Sequence, residues 1–275
     1  MAKRFYLACA VASCSALAAG SANAVIIGFD NGENFDYAGF TQSTTGGGDP
    51  ADWSPGDWFG WGAYGAWPQA AGVPFALADD SVEAISGSQF SGDTQGIVDS
   101  TRAADDQFFG VVDTVNGNND GGTATAVWSF DIAGFENIIV SALFAAMGDF
   151  ESPGDLFDWT YSIDGGPSAA LFGISVEETL SQTYTMENGV TVDLNDPLAV
   201  GGTLLDDVER LFSAPIAGAG SVLEISFEAS ANGGSEAFLF DNLTVEGERT
   251  VAEPTSLALL TLGLAGAGYA RRRRA

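Results

Sequence analysis

The sequence predicts an all-β fold, a β-sandwich or jelly roll, over residues 25–250. Three observations carry this. Apolar and polar residues alternate with period two in several segments, glycine-rich turn signals separate those segments, and convincing helical periodicity is absent from most of the stretch. The chain holds 19 Phe and 6 Trp besides many Val, Ile and Leu, enough for about 225 residues to bury a full core as one domain.

The first predicted strand is Val25 to Phe29, a short apolar run. Thr41 to Pro74 is rich in Gly, Pro and Trp with little alternation, and reads as a long decorated loop carrying short strands. Thr123 to Asp131 places Ala124, Ala126, Trp128 and Phe130 opposite Thr125, Ser129 and Asp131. Asn137 to Ala146 is largely apolar on both faces, as a central strand would be. Phe157, Trp159, Tyr161 and Ile163 alternate with Asp158, Thr160, Ser162 and Asp164. Leu204 to Phe212 reads equally as a short helix or a strand. Ser221 to Ser230 puts Leu223, Ile225, Phe227 and Ala229 on one face and Glu224, Ser226 and Glu228 on the other. Glu236 to Glu246 forms the last strand. The turns fall at Asn116-Gly117, Asp120-Gly121-Gly122, Asp164-Gly165-Gly166, Asn188-Gly189 and Asn232-Gly233-Gly234.

Both ends carry targeting signals. Lys3 and Arg4, an apolar stretch from Tyr6 to Ala19 and the small-x-small triplet Ala22-Asn23-Ala24 make residues 1–24 a secretory signal peptide. At the other end, Val251, Ala252, Glu253 and Pro254 precede an apolar run, Thr255 to Ala270, followed by Arg271, Arg272, Arg273 and Arg274. As a helix, residues 255–270 would be roughly 24 Å long, slightly short for a ~30 Å hydrocarbon core, with the arginines snorkelling on the cytoplasmic side. A permanent tail anchor is one reading. The small-Glu-Pro break before the span favours a removable signal. These residues resemble the PEP-CTERM sorting signal of Gram-negative bacteria, with Ala252 in place of the pattern's first proline. The resemblance covers residues 251–275. It implies recognition by an exosortase-like enzyme, an inner-membrane intermediate and delivery to the envelope, cell surface or extracellular matrix.

Between Val25 and Pro254 the only basic residues are Arg102, Arg210 and Arg249, against all 37 Asp and Glu, a formal charge of −34. Such a surface repels nucleic acid and anionic lipid and attracts cations. Adaptation to a salty medium explains it as well as specific cation binding does. Both cysteines, Cys9 and Cys14, and the one lysine lie in the leader, and the chain has no histidine. Ser-His-Asp, Cys-His and Schiff-base catalysis are therefore excluded, as are the usual zinc sites. Paired carboxylates remain, as in glycoside hydrolases, but 37 acids supply such pairs by chance. The expectation is a protein that is not an enzyme.

Calcium takes oxygen ligands, and three places offer them. Asp30-Asn31-Gly32-Glu33 ends the first strand. Asp241-Asn242 lies in the last strand, where Asp241 is in phase with Leu239, Leu243 and Val245. A carboxylate on an apolar face needs a partner or a metal. Alternatively Phe238 and Phe240 face the core and Asp241 is solvated. Asn116-x-Asn118-x-Asp120-Gly121 mimics the start of a calcium loop but has Val127 at its twelfth position, which favours a plain turn. Gly28-Phe29-Asp30, the run Asp158 to Gly166 and Phe240 to Val245 also resemble jelly-roll modules of secreted bacterial proteins, many of which bind carbohydrate. That resemblance implies a structural calcium shared by Asp30, Glu33 and Asp241.

Four of the six tryptophans, Trp53, Trp58, Trp61 and Trp67, fall within fifteen residues together with Phe59 and Tyr64. Exposed, they would make a sugar-binding platform. Folded back, they would lid one end of the sandwich, the arrangement that the rarity of large exposed apolar patches favours. The leading expectation is a non-enzymatic surface or biofilm-matrix protein. A carbohydrate-binding module using the Trp-rich loop, with an extracellular polysaccharide as partner, comes second. Glycoside hydrolysis is a distant third.

Overall fold

The computed structural model describes residues 24–46, 50, 57–63, 106–185, 191–233 and 236–250. The described residues form strands and no helix. In chain order these are β1 (Ala24–Asp30), β2 (Phe35–Asp36), β3 (Gly39–Thr44), β4 (Trp58–Ala63), β5 (Gln107–Val112), β6 (Ala124–Asp131), β7 (Phe135–Met147) and β8 (Leu156–Ile163). There follow β9 (Ala169–Ala170), β10 (Ile174–Val176), β11 (Ser181–Thr185), β12 (Thr191–Asn195), β13 (Leu198–Val200), β14 (Thr203–Leu204), β15 (Arg210–Pro215), β16 (Val222–Ser230) and β17 (Ala237–Arg249).

Two antiparallel sheets face each other. The larger runs β15-β7-β17-β1-β2, with β5 pairing the first part of β17 and β4 pairing β5. The smaller runs β3-β6-β16-β8-β9. From β5 to β8, and again from β15 to β17, the chain crosses between sheets at each long strand, the wrapping of a jelly roll. β10-β13-β14 and the β11-β12 hairpin form two small satellite sheets between β9 and β15.

The core lies between the sheets and is aromatic. The smaller sheet contributes Trp128, Trp159 and Phe227, and the larger contributes Phe109, Phe144, Phe238 and Phe240, all fully buried. Trp159 stacks on Phe227 and Phe109 on Phe240, each with ring centroids 4.6 Å apart. Offset stacks and edge contacts of this kind add to the area that each ring removes from water.

β17 is the central strand of the larger sheet, and it resolves the two phases that its sequence allows. Phe238 and Phe240 face the core, and so do Leu243 and Val245, which have the opposite parity. The register breaks between Asp241 and Thr244, where Asn242 takes φ +53°. This bulge shifts the alternation by one residue and puts both pairs on the same side. Gly28 sits at a matching irregularity in β1. A side chain there would run into the Asp36 carbonyl and the Phe130 ring.

The Leu204 to Phe212 segment is extended where it is regular: β14 ends at Leu204 and β15 starts at Arg210. The Thr41 to Pro74 stretch contains the end of β3 and all of β4. Asn116-x-Asn118-x-Asp120 forms a tight turn built on its own amides. Asn116 Oδ1 accepts from the Asn118 and Asn119 N–H groups at 2.9 and 3.0 Å, and buried Asn119 Nδ2 donates to the Thr114 carbonyl at 2.9 Å.

Candidate functional site

Asp30 closes β1 and is 2% exposed. Its Oδ2 accepts from Trp128 Nε1 at 2.7 Å and its Oδ1 from the Gly32 N–H at 3.0 Å. Trp61 also donates to it. Burial pushes its carboxyl above the usual range, and these donors oppose that rise. The partner that the buried carboxylate needs is thus an indole N–H. Glu33 accepts from the Gln107 N–H at the start of β5. Asp241 is 3% exposed and accepts from the Asn242 N–H at 2.6 Å. The structure does not gather Asp30, Glu33 and Asp241 into one set of three ligand atoms within 4.8 Å of one another.

The acids it does gather lie at another end of the molecule. The turn between β7 and β8 and the turn between β16 and β17 meet there. Ligand oxygens of Glu151, Asp155 and Glu236 lie within 4.8 Å of one another. Asp155 is 6% exposed and Glu236 5%, with Glu151 at the surface. Asp155 is held by the Glu151 N–H at 2.6 Å and the Asn232 N–H at 3.2 Å, and Glu236 by the Gly233 N–H at 2.9 Å. Asp149 sits close by, opposed by the charge of Asp196.

No cation offsets this charge among the described residues. Arg210 pairs with Asp206, and Arg249 lies over the Phe135 ring at 4.9 Å. The carboxyls therefore hold their protons more tightly than usual. Burial, then the charges of Asp155 and Glu151, raise Glu236 to about 8. Burial is also the first cause of the rise at Asp155, Glu151 and Asp149. Such a set can share a proton, and among the described residues it is the group of three carboxylates whose geometry could hold a divalent ion. Nothing in the sequence marks it, because its members come from turns some 80 residues apart. A second acid pair shows the same physics: Asp113 is raised to about 6 by burial, then by the charge of Asp57 and a hydrogen bond with it.

The Trp-rich stretch divides. Trp61 meets Phe109 and Phe240 edge-on, with ring centroids at 5.6 and 5.7 Å, and packs against the core together with Phe59. Trp58 has the opposite parity in β4, is half-buried, and donates from Nε1 to the Gly60 carbonyl at 2.9 Å. Trp53 and Trp67 lie outside the described residues.

The sandwich closes at Thr250, whose N–H and Oγ1 both donate to the Gly134 carbonyl at 2.9 and 3.0 Å. β17 thus delivers the chain to the segment that begins at Val251. Residues 250–274 match the PEP-CTERM protein-sorting motif. The motif marks an exported protein of a Gram-negative bacterium, sorted by an exosortase and processed at the membrane. It covers Val251, Ala252, Glu253, Pro254 and the arginines from Arg271 to Arg274. Those residues, the helix expected at 255–270 and the leader expected at 1–24 lie outside the described residues, apart from Ala24. Among the described residues no helix is long and apolar enough to cross a membrane.

Comparison with curated proteins gives no match. Solved structures give distant ones. TmCBM61 in complex with β-1,4-galactotriose is 9% identical, over 52% of this chain and 72% of that one, with a TM-score of 0.28. The CBM22-1–GH10 modules of Clostridium thermocellum endo-1,4-β-D-xylanase 10B, complexed with xylohexaose, are 10% identical over 57% of this chain and 24% of that one, TM-score 0.28. The enzymatically active domain of Bacteriophage CBA120 tailspike protein 4 is 12% identical over 55% and 17%, TM-score 0.30. The chain spans a quarter or less of the last two. Likeness this distant carries no ligand or activity across.

Proposed function

We propose that this protein is a non-enzymatic component of the envelope, cell surface or extracellular matrix, released from the inner membrane when an exosortase-like enzyme cuts at the Glu253-Pro254 break. The sorting motif at residues 250–274 carries this reading. The composition supports it, since a chain without histidine, and without cysteine or lysine after its leader, lacks most catalytic nucleophile and base pairs. A surface dominated by carboxylates suits a protein that stays soluble among polymers and divalent ions.

The test combines location with chemistry. Fractionation of producing cells, with intact-mass measurement of the envelope and medium pools, should find the chain without its arginine tail. The same material should release no reducing ends from polysaccharides of the strain. A mature pool that keeps Arg271 to Arg274 would identify a permanent anchor, and release of reducing ends would identify a hydrolase. Sugar binding through the Trp-rich loop is the second reading. It rests on Trp58, the described ring of that stretch that points away from the core.

A further inference from the structure

The outer face of the smaller sheet has an unusual make-up for a surface. Strand register places Thr41, Val127, Ser226, Thr160 and Ala170 in one row across β3, β6, β16, β8 and β9. The next row is Gly39, Ser129, Glu224 and Ser162. The third is Ser43, Thr125, Glu228 and Asp158. Exposed sheet faces ordinarily carry long side chains of both charges. Here the residues are short and mostly hydroxylated, and none of the three rows holds a lysine, an arginine or an aromatic ring.

Because the central row is short, the face is hollowed. A cleft of about 250 Å³ opens over it, lined by Val127, Thr160, Tyr161, Ser162, Ser168, Glu224 and Ser226. The Tyr161 side chain is buried in the core, where its hydroxyl accepts from the Ala217 N–H at 3.0 Å. That is close to the lower end of the roughly 300–1,000 Å³ typical of ligand sites. Glu224 Oε2 accepts from Ser162 Oγ at 3.2 Å, which fixes the carboxylate at the side of the cleft.

The lining selects a ligand class. Four hydroxyls both donate and accept, and Glu224 accepts only, so the matching ligand presents several adjacent hydroxyls. Asp158, Glu224 and Glu228 on one face, with no cation in the three rows among the described residues, repel anions. With the Tyr161 ring in the core and no other ring in the three rows, a flat aromatic ligand has nothing to stack on among the described residues. Val127 offers a small apolar floor for C–H groups. The trough runs across three strands, β6, β16 and β8, to Ser168 just ahead of β9, and is open, as a chain-like ligand requires. We propose that this face, centred on Ser226, binds a neutral, hydroxyl-rich polymer, that is, a neutral polysaccharide. The proposal rests on the extracellular placement given above and deepens it, but it fails separately. Loss of binding would leave the location untouched.

The experiment uses the processed protein purified from the envelope, run in native gels cast with a neutral β-glucan, a galactan or a mannan. Alginate serves as the uronic-acid counterpart. At least one neutral polymer should retard the protein and alginate should not. Ser226→Tyr, which fills the floor, should raise the apparent Kd by about tenfold or more. Its melting temperature should match that of the unmodified protein, because the residue is on the solvent side of the sheet. Glu224→Gln keeps the shape, should also weaken neutral binding, and serves as the readout if the tyrosine variant does not fold. Trp58→Ala should bind as the unmodified protein does. No retardation by any neutral polymer, unchanged binding in both cleft variants, or retardation by alginate alone would overturn the proposal. Loss of binding in Trp58→Ala with the cleft variants unaffected would move the site to the Trp-rich loop.

Discussion

Two buried tryptophans of the smaller sheet differ in one atom's surroundings, and that difference is measurable. Trp128 Nε1 donates to Asp30, whereas Trp159 Nε1 is buried without a protein acceptor. Trp128→Phe therefore removes a hydrogen bond to a buried carboxylate, worth about 2 kcal/mol, in addition to lost volume. Trp159→Phe loses the same volume and relieves an unsatisfied donor. Urea denaturation should rank Trp128→Phe as clearly the more costly of the two, and equal losses would remove Trp128 as the anchor of Asp30. Trp61→Ala should cost about 3 kcal/mol, because its ring lies against Phe109 and Phe240. At this scale the sequence offered Asp30 as a calcium ligand and kept the need for a partner for Asp241, so it did not foresee that Asp30 is buried against an indole. The indole that answers it lies 98 positions away on a different sheet.

The strands and turns follow local rules that can be tested in turn. In β17 the Asn242 backbone is left-handed, where asparagine is tolerated and glycine is at ease. Asn242→Gly should change stability little, and Asn242→Val should cost about 1–2 kcal/mol in the same denaturation assay. Equal values would mean that the bulge is not needed to hold Phe240 and Leu243 on one face. The turns holding Glu151, Asp155 and Glu236 predict a pH dependence. Glu236 keeps its proton to about 8 when folded, against an ordinary value of 4.5, so the folded chain binds the extra proton between those limits. Stability should fall as pH rises through that window and level off above it. Glu236→Gln should flatten the fall, and a flat melting profile in the unmodified protein would contradict the cluster. Alternation made β6, β8 and β16 legible, because each has one face on the core and one in water. β5 was not legible. Its run Gln-Phe-Phe-Gly-Val-Val is apolar at both parities, and five of its six residues are buried. The acid cluster escaped notice because it depends on two turns being brought together, which no local pattern encodes.

As a whole, the exported part carries 37 acids against three arginines, so self-repulsion opposes the compact state. Raising salt should raise the melting temperature through screening alone. Comparing calcium with chelator at matched ionic strength separates that general effect from occupation of a specific site. A site filled at a hundredfold excess over its Kd adds about 2.7 kcal/mol. If that gain appears, its loss in Glu236→Gln would assign it to the acid cluster, and its loss in Asp241→Asn to the Asp30 end. The two-sheet architecture was readable because period-two alternation survives in its long strands. The satellite sheets β10-β13-β14 and β11-β12 were not, because their strands are five residues or fewer. The placement of β17 has a mechanical consequence. The strand that leads into the sorting segment is the middle one of the larger sheet, bonded to β7 on one side and to β1 and β5 on the other. A pull on the C-terminal end along that strand loads these ladders together, in shear. An edge strand pulled across its ladder would instead peel away one bond at a time. Force applied at the C-terminal end is thus shared by ladders on both sides of β17, and the sandwich can be pulled by its tail without unzipping from an edge.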